Sequence, residues 1–385
     1  MMKQLDFAPA EYQDRLRRAR AALRDHAVDG MIVHDPTSIF WLTGWRGKGY
    51  QIHQALILTV EERPLSLLTR TSDVFEAQMT SIVDDVRGWR TEAGDEPIAI
   101  VAALLHASGL VGKRVAYDLP DYYLPVPVYW KLMALLSGTS HSNLTGLIDR
   151  LRYRRSPAEI ALVRRAAAIA DAGVEAGTRA LTPGTSELAV AGAMHQAMMA
   201  AGGQSPASPM NLVSGDRAAF AHGFPTERVL QRGEVVQAEW GASYRGYHCT
   251  LGRMWSLGEP PGRVREYYRI VRAACDAVID GIRPGVPMAD LDRAAKKALG
   301  PRLERYATHK TGYLIKAGFP PAWGDAPALA ENCSAVLEPG MLVSVEPPLF
   351  IPEEGIGVRI IDNVLVTSDG GELLSRTPRE IIIVS

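Results

Sequence analysis

The N-terminal part of the chain alternates between short apolar runs and amphipathic stretches. Between residues 29 and 69 the apolar runs have the length and the flanking turn residues of β-strands, and they read GMIVHD, IFWLTGW, QALILTV and PLSLLTR. Apolar residues at helical spacing flank them, over residues 11–26 and 97–106. Alternating strands and helices predict a small α/β domain that ends near residue 144.

The pattern changes at residue 149, where a basic run leads into a long helical stretch. Ser156 suits the N-cap of a helix and Pro157 its first position, so a helix is predicted to begin there. Helices are also predicted over residues 187–201, 262–282 and 287–299, and strands over 229–257 and 341–366. Helices mixed with hairpins, without regular βαβ alternation, predict an α+β domain. The predicted domains are therefore residues 1–148 and 149–385.

Composition narrows the class of protein. The 385 residues are 47% hydrophobic and 22% charged, which suits about two globular domains. Lys and Arg number 42 against 43 Asp and Glu, so the net charge of −1 gives no attraction to nucleic acid or to an anionic membrane. Three distant cysteines, no signal-peptide core and no apolar run of membrane-spanning length predict a cytoplasmic protein. The expected partner is a small molecule or another protein chain.

Several segments of the second half carry a resemblance to a known family. They read RSPAEIALVRRAAAIAD, LTPGTSE, AHGFPTERVLQRGEVVQAEWGASYRGYHCTLGRMW, HKTGYLIKAGFPPAWGD and LEPGMLVSVEPPLFIPEEGIGVRIIDNVLVT. In this order they resemble the pita-bread fold of the creatinase/aminopeptidase family. The first half resembles the smaller α/β domain that precedes this fold in creatinase and Xaa-Pro peptidases. The resemblance implies a homodimer in which the small domain of one subunit covers the active site of the other.

Metallopeptidases of this fold hold two divalent ions with two Asp, one His and two Glu. The resemblance places these five positions on Glu239, Thr250, Tyr313, Glu346 and Ile361. Two carboxylates remain from five ligands, whereas hard divalent cations need several anionic oxygens. The sequence therefore predicts no metal site and no other cofactor.

The remaining polar groups suggest acid-base chemistry. The resemblance places His222 where creatinase has its catalytic histidine, and an imidazole titrates near neutrality. Glu239 and Glu346 are expected to face one cavity, where one carboxylate binds a cation and the other attacks the substrate or activates water. Which glutamate does which stays open. Tyr313 and His248 are expected to donate hydrogen bonds to the tetrahedral centre.

The substrate prediction depends on smaller features. The run Tyr-His-Cys at 247–249, Gly-Tyr at 312–313 and Phe-Pro-Pro-Ala-Trp at 319–323 resemble ectoine hydrolases. They imply a metal-independent hydrolase that opens the ring of ectoine or a related cyclic amidine. In the loop at 43–53, Trp45, Arg46 and Tyr50 would close over this zwitterion. Two alternatives stay open, namely a metal-dependent Xaa-Pro aminopeptidase or prolidase, and an inactive binding protein of the same fold.

Overall fold

A computed structural model describes residues 3–385 of the chain, which divides after Arg152 into two compact units. The predicted boundary after residue 148 lies inside the last helix of the first unit. Mixed helices and sheets make up the fold, and the α+β prediction is confirmed. None of the helices among residues 3–385 is both long and apolar enough to cross a membrane.

The first unit contains a six-stranded sheet with helices around it. Its helices are α1 (Pro9–Asp25), α2 (Pro36–Thr43), α3 (Val74–Thr80), α4 (Pro97–Ala107), α5 (Val126–Leu136) and α6 (Leu147–Arg152). Its strands are β1 (Gly30–Val33), β2 (Ala55–Thr59), β3 (Ser66–Arg70), β4 (Asp85–Trp89), β5 (Val115–Tyr117) and β6 (His141–Asn143). The strand order is β4-β3-β2-β1-β5-β6, and only β2 runs antiparallel to its neighbours.

One of the four predicted strands is a helix. The run IFWLTGW forms most of α2, whose residues are all buried. The Asp35 side chain accepts a hydrogen bond from the Ser38 backbone N–H at 2.8 Å, and Pro36 occupies the first turn. Gly44, with φ at 90°, ends the helix in a left-handed conformation. A short run that is buried on every side has no periodicity, so sequence could not separate helix from strand here.

The second unit has two larger sheets and a short hairpin. Its helices are α7 (Pro157–Ala180), α8 (Glu187–Ala200), α9 (Gly262–Gly281), α10 (Met288–Leu299) and α11 (Pro301–Glu304). Its strands are β7 (Asn211–Ser214), β8 (Val235–Tyr244), β9 (Tyr247–Leu257), β10 (Gly312–Ile315), β11 (Gly324–Leu329), β12 (Leu342–Val345), β13 (Leu349–Ile351), β14 (Ile356–Val358), β15 (Asp362–Val366), β16 (Gly371–Leu373) and β17 (Ile382–Val384). The sheet orders are β17-β9-β8-β7, β11-β10-β12-β15-β16 and β13-β14.

The two larger sheets meet at β9 and the start of β15. Gly252 and Ile361 exchange backbone hydrogen bonds, each of 3.1 Å. A Cβ atom at Gly252 would lie 2.7 Å from the Ile361 side chain, so this close approach requires glycine. Nearby, the Thr250 backbone N–H donates to the Asn363 side chain at 2.7 Å. Because β8 pairs with β9, and because β10 and β12 belong to the same sheet as β15, these contacts bring β8 close to β10 and β12.

Candidate active site

Glu239 lies on β8, opposite Gly252 of β9, and is nearly buried. Its Oε2 atom lies 2.7 Å from Arg359 Nη1 and accepts a hydrogen bond from Asn211 Nδ2 at 3.1 Å. Asn211 faces it directly from β7. Because both contacts among the described residues use Oε2, Oε1 is available to a water molecule or a substrate.

Glu346 follows β12 directly and is 4% exposed. Its backbone N–H donates to the Thr311 carbonyl at 2.9 Å, which fixes the chain at the end of the strand. The Ser344 hydroxyl donates to Oε2 at 2.9 Å, and His309 Nδ1 lies 3.3 Å from Oε1. Both carboxyl oxygens of Glu346 are thus held in position by neighbouring side chains.

The two carboxyl groups lie in different electrostatic environments. Burial, reinforced by the nearby carboxylate of Glu239, raises the pKa of Glu346 to about 8. The Ser344 hydrogen bond and the charge of Arg359 oppose this rise and are the weaker influences. Glu346 therefore favours its protonated form at neutral pH, while Arg359 forms an ion pair with Glu239.

A row of rings connects this carboxyl pair with solvent. His222 is exposed, and its ring centroid lies 5.5 Å from that of His309, which contacts Glu346. Burial lowers the pKa of His309, so its imidazole is neutral at pH 7. The row His222, His309, Glu346 therefore runs from exposed to buried groups that can each hold a proton.

Tyr313 lies beside the same carboxyl group, on β10. Its hydroxyl accepts a hydrogen bond from Trp323 Nε1 at 3.2 Å. Burial raises the pKa of Tyr313 well above its usual value, and the carboxylates of Glu346 and Glu239 add to this rise. The phenol consequently keeps its proton and forms a hydrogen bond with Glu346.

The family's ligand positions do not fit a pair of divalent ions in this chain. Thr250 Oγ1 accepts a hydrogen bond from Asn363 Nδ2 at 2.8 Å, and Ile361 offers only carbon atoms. Tyr313 keeps its proton, and Glu239 is neutralised by an arginine. Among residues 3–385, no group of three or more His, Cys, Asp or Glu is arranged to hold a metal ion. Two carboxyl groups, one of them protonated, are a poor ligand set for hard cations.

Because these five positions do not fit divalent ions, the chain is expected to bind metal weakly, and substitutions that restore ligands should strengthen the binding. We expect the triple variant Thr250→Asp, Tyr313→His, Ile361→Glu to bind Mn²⁺ at least roughly 10–100-fold more tightly than the unaltered chain, because it adds two anionic ligands and an imidazole. Isothermal titration calorimetry after dialysis against a chelator measures both affinities. The variant Thr250→Asn, Tyr313→Gln, Ile361→Gln is the matched neutral control. Equal Mn²⁺ affinity in the unaltered chain and the ligand-restored variant would contradict the misfit.

His248 has both ring nitrogens occupied. Nε2 accepts a hydrogen bond from the Ala207 backbone N–H at 3.0 Å, and Nδ1 lies 3.3 Å from the Lys316 carbonyl oxygen. The side chain is 1% exposed. Because Nε2 accepts a hydrogen bond, the ring proton lies on Nδ1 and points to the Lys316 carbonyl oxygen. The ring therefore has no donor for the tetrahedral centre, and the residue stabilises the loop around Ala207.

The predicted substrate-binding residues of the first unit are also engaged there. Trp45 is 1% exposed and packs in the unit's own core, so its ring offers no open aromatic face. Arg46 Nη2 lies 3.7 Å from an Asp6 carboxylate oxygen. The rings of Tyr50 and Tyr123 pack edge to face with centroids 6.3 Å apart. The role of this loop as a lid stays a prediction.

Comparison with known proteins identifies the family. The model of Metallopeptidase family M24 matches residues 161–368, and that of the Creatinase/Prolidase N-terminal domain matches residues 15–154. The probable dipeptidase PepE of Mycobacterium tuberculosis is 30% identical over 381 residues, 98% of either chain. The uncharacterized peptidase YqhT of Bacillus subtilis is 27% identical and covers 96% of this chain and 100% of its own.

Solved structures give the same result. The Xaa-Pro dipeptidase from Bacillus anthracis superposes with a TM-score of 0.84 at 27% identity, over 97% of this chain and all of its own. The dipeptidase PepE from Mycobacterium ulcerans superposes with a TM-score of 0.83 at 28% identity, over 98% of this chain and 99% of its own. The predicted resemblance to the pita-bread family is therefore confirmed.

The predicted substrate and reaction, however, are wrong. A metal-independent hydrolase of ectoine or a cyclic amidine is contradicted by relatives and structures that are dipeptidases and Xaa-Pro dipeptidases. They favour the peptidase alternative, although this chain departs from the ligand set that the family implies. The protein belongs to the M24 hydrolase family, with a creatinase/prolidase N-terminal domain before its pita-bread domain.

Proposed function

We propose that this protein hydrolyses the amide bond of dipeptides or other short peptides. The observation that carries this proposal is the buried pair Glu239 and Glu346, in which Glu239 forms an ion pair with Arg359 and burial favours the protonated form of Glu346. Two carboxyl groups that share a proton can polarise a carbonyl group and activate water at the same time. The peptidase names of the relatives support an amide as the substrate.

The geometry assigns a role to each member of the pair. Oε1 of Glu239 takes a proton from the water molecule that attacks the amide carbon, while the proton of Glu346 passes to the carbonyl oxygen. When the C–N bond of the tetrahedral intermediate breaks, the proton gained by Glu239 goes to the departing nitrogen. The proton first given by Glu346 returns to it as the new carboxyl group forms, so the pair ends as it began.

Neighbouring groups support this cycle. The Tyr313 hydroxyl keeps its proton and hydrogen-bonds Glu346, which stabilises that carboxylate after it has given up its proton. His309 contacts Glu346 and can exchange protons with it, and His222 connects His309 with solvent. This row can therefore exchange the proton of Glu346 with solvent before a substrate binds.

Two finer predictions accompany this function. We infer from the family resemblance that the protein is a homodimer in which the small domain of one subunit covers the active site of the other, and that it is cytoplasmic. Sedimentation velocity tests the first point, because a dimer sediments with twice the mass of the chain. A monomer at micromolar concentration would contradict it.

Incubation with a defined substrate panel tests the reaction itself. The purified protein is mixed with dipeptides, including Xaa-Pro dipeptides, and with ectoine, and the products are identified by mass spectrometry. We expect free amino acids from at least one dipeptide, and loss of this activity in the variant Glu239→Gln. Glu259→Gln is the control, since Glu259 is exposed and forms an ion pair with Arg265 on the surface. Hydrolysis of ectoine without hydrolysis of any dipeptide would overturn the proposal.

A further inference from the structure

A cavity of about 680 Å³ lies against α8, outside the carboxyl pair. Its walls include Leu188, Met198, Met199 and Phe224, and three of these four are substantially exposed. Ligand cavities typically measure about 300–1,000 Å³ and are mostly apolar, so the size and character of this one suit a small ligand. Exposed apolar side chains around a concave surface mark a binding site more often than a free surface.

The cavity adjoins the candidate active site through its walls. Gly241 follows Glu239 by two residues on β8, so both residues share one face of the strand. Phe224 stands two residues after His222, and Met210 immediately precedes the asparagine that binds Glu239. The same segments therefore carry both the site residues and the walls of the cavity.

The chemistry of the walls selects an apolar group. The lining contains no Lys, Arg, Asp or Glu. Burial lowers the pKa of His195, its one ionisable wall residue among those described, so the cavity carries no charge at neutral pH. The three methionine side chains of the walls are flexible and polarisable, which lets the walls adapt to side chains of different shape.

We infer that this cavity receives a bulky apolar side chain of the peptide substrate, such as that of Phe, Leu or Met. This inference rests on the proposed function and narrows it to a substrate class. It makes Gly192 a specificity-determining residue, because Gly192 lines the cavity and has no heavy atom within 4 Å of its Cβ position. A larger side chain at Gly192 fills the space that the substrate would use.

The variant Gly192→Leu tests the inference directly. Leucine forms helix better than glycine and meets no clash here, so folding is retained. We expect kcat/KM for Phe-Ala, Ala-Phe or both to fall about 10–200-fold, while that for Ala-Ala stays within about twofold. The matched control is Gly262→Leu on α9, at an exposed position with equally open space around its Cβ. This control should leave all three substrates unchanged.

A binding experiment separates this inference from the proposed function. Isothermal titration calorimetry with Phe-Ala and Ala-Phe should show binding to the unaltered chain and to Gly262→Leu, and at least about tenfold weaker binding to Gly192→Leu. If no dipeptide is hydrolysed but this difference holds, the reaction is wrong and the cavity assignment stands. If Gly192→Leu lowers kcat/KM for Ala-Ala as strongly as for the Phe substrates, the cavity assignment is wrong. It is also wrong if the variant changes kcat/KM for none of the three substrates. A changed oligomeric mass with unchanged specificity would instead assign the cavity to contact between copies of the chain.

Discussion

Glu346→Gln is expected to lower kcat/KM for a dipeptide by about 10²–10⁴-fold, because glutamine has no transferable proton. Glutamine is close in size to the protonated side chain and still accepts the Ser344 hydrogen bond, so the fold is retained. Steady-state kinetics at pH 7 measure the loss. The surface control Glu259→Gln should keep full activity. A variant Glu346→Gln that retains more than a tenth of the activity would exclude the assigned proton transfer.

The same variant should become more stable relative to the unaltered protein as the pH rises. The folded chain keeps the proton of Glu346 up to about pH 8, whereas an unfolded chain releases it near the ordinary pKa of 4.5. The unaltered protein therefore loses stability between these two pH values, and Glu346→Gln does not share this loss. Urea unfolding measures the free energy of unfolding of both proteins at pH 5 and pH 8. The value for Glu346→Gln relative to that for the unaltered protein should be higher at pH 8 than at pH 5. A difference that is independent of pH would mean that Glu346 titrates normally.

Arg253→Met is expected to reduce the free energy of unfolding by about 3–5 kcal/mol, the range for breaking a buried ion pair. Arg253 is fully buried, and its Nη2 lies 2.7 Å from Asp362 Oδ1. Its guanidinium also donates to the carbonyl oxygens of Gly252, Ile361 and Pro378. The substitution removes this donor from the Pro378 carbonyl oxygen and from Asp362 Oδ1 at the place where the two sheets meet. Gly252 and Ile361 keep their backbone hydrogen bonds to each other, and Asp362 keeps its ion pair with Arg379.

Chemical denaturation with a matched surface control measures this effect. Arg265→Met removes an arginine that binds Glu259 on the surface, and its effect should stay within about 0.5 kcal/mol. If Arg253→Met changes the unfolding free energy by less than about 1 kcal/mol, the junction between the sheets does not depend on this arginine.

Local sequence signals predicted much of the fold. The N-cap at Ser156 is present as a full capping box with Glu159, and the runs GMIV, ALILT and SLLTR are strands. These elements have signals within a few residues, such as a cap or a bounded apolar run. The helix α2 also has cap residues, Asp35 and Gly44, but all of its residues are buried, so its apolar pattern has no polar face that would indicate a helix.

The site was only partly predictable because its contacts join distant segments. The resemblance brought Glu239 and Glu346 to one place, but no local pattern pairs Glu239 with Arg359. Asp362, three residues after that arginine, binds Arg253. Ion pairs between residues so far apart in sequence follow from strand register, which single-sequence patterns do not specify.

His309 is the functional side chain that sequence reasoning missed. It stands four residues before Tyr313 within the segment HKTGYLIK, which was already part of the family resemblance. A polar residue so near a ligand position was a usable signal. Its importance depends on the 3.3 Å contact with Glu346, which comes from a different strand and becomes visible only in three dimensions.

The pH dependence of dipeptide hydrolysis tests the central claim most directly. Release of free amino acids is followed by mass spectrometry between pH 6 and pH 10, and kcat/KM is determined at each value. Because the carboxyl pair loses its shared proton with a pKa of about 8, kcat/KM should be high below that pH and fall above it. No release from any dipeptide, or a rate that stays constant to pH 10, would contradict peptide hydrolysis by the Glu239 and Glu346 pair.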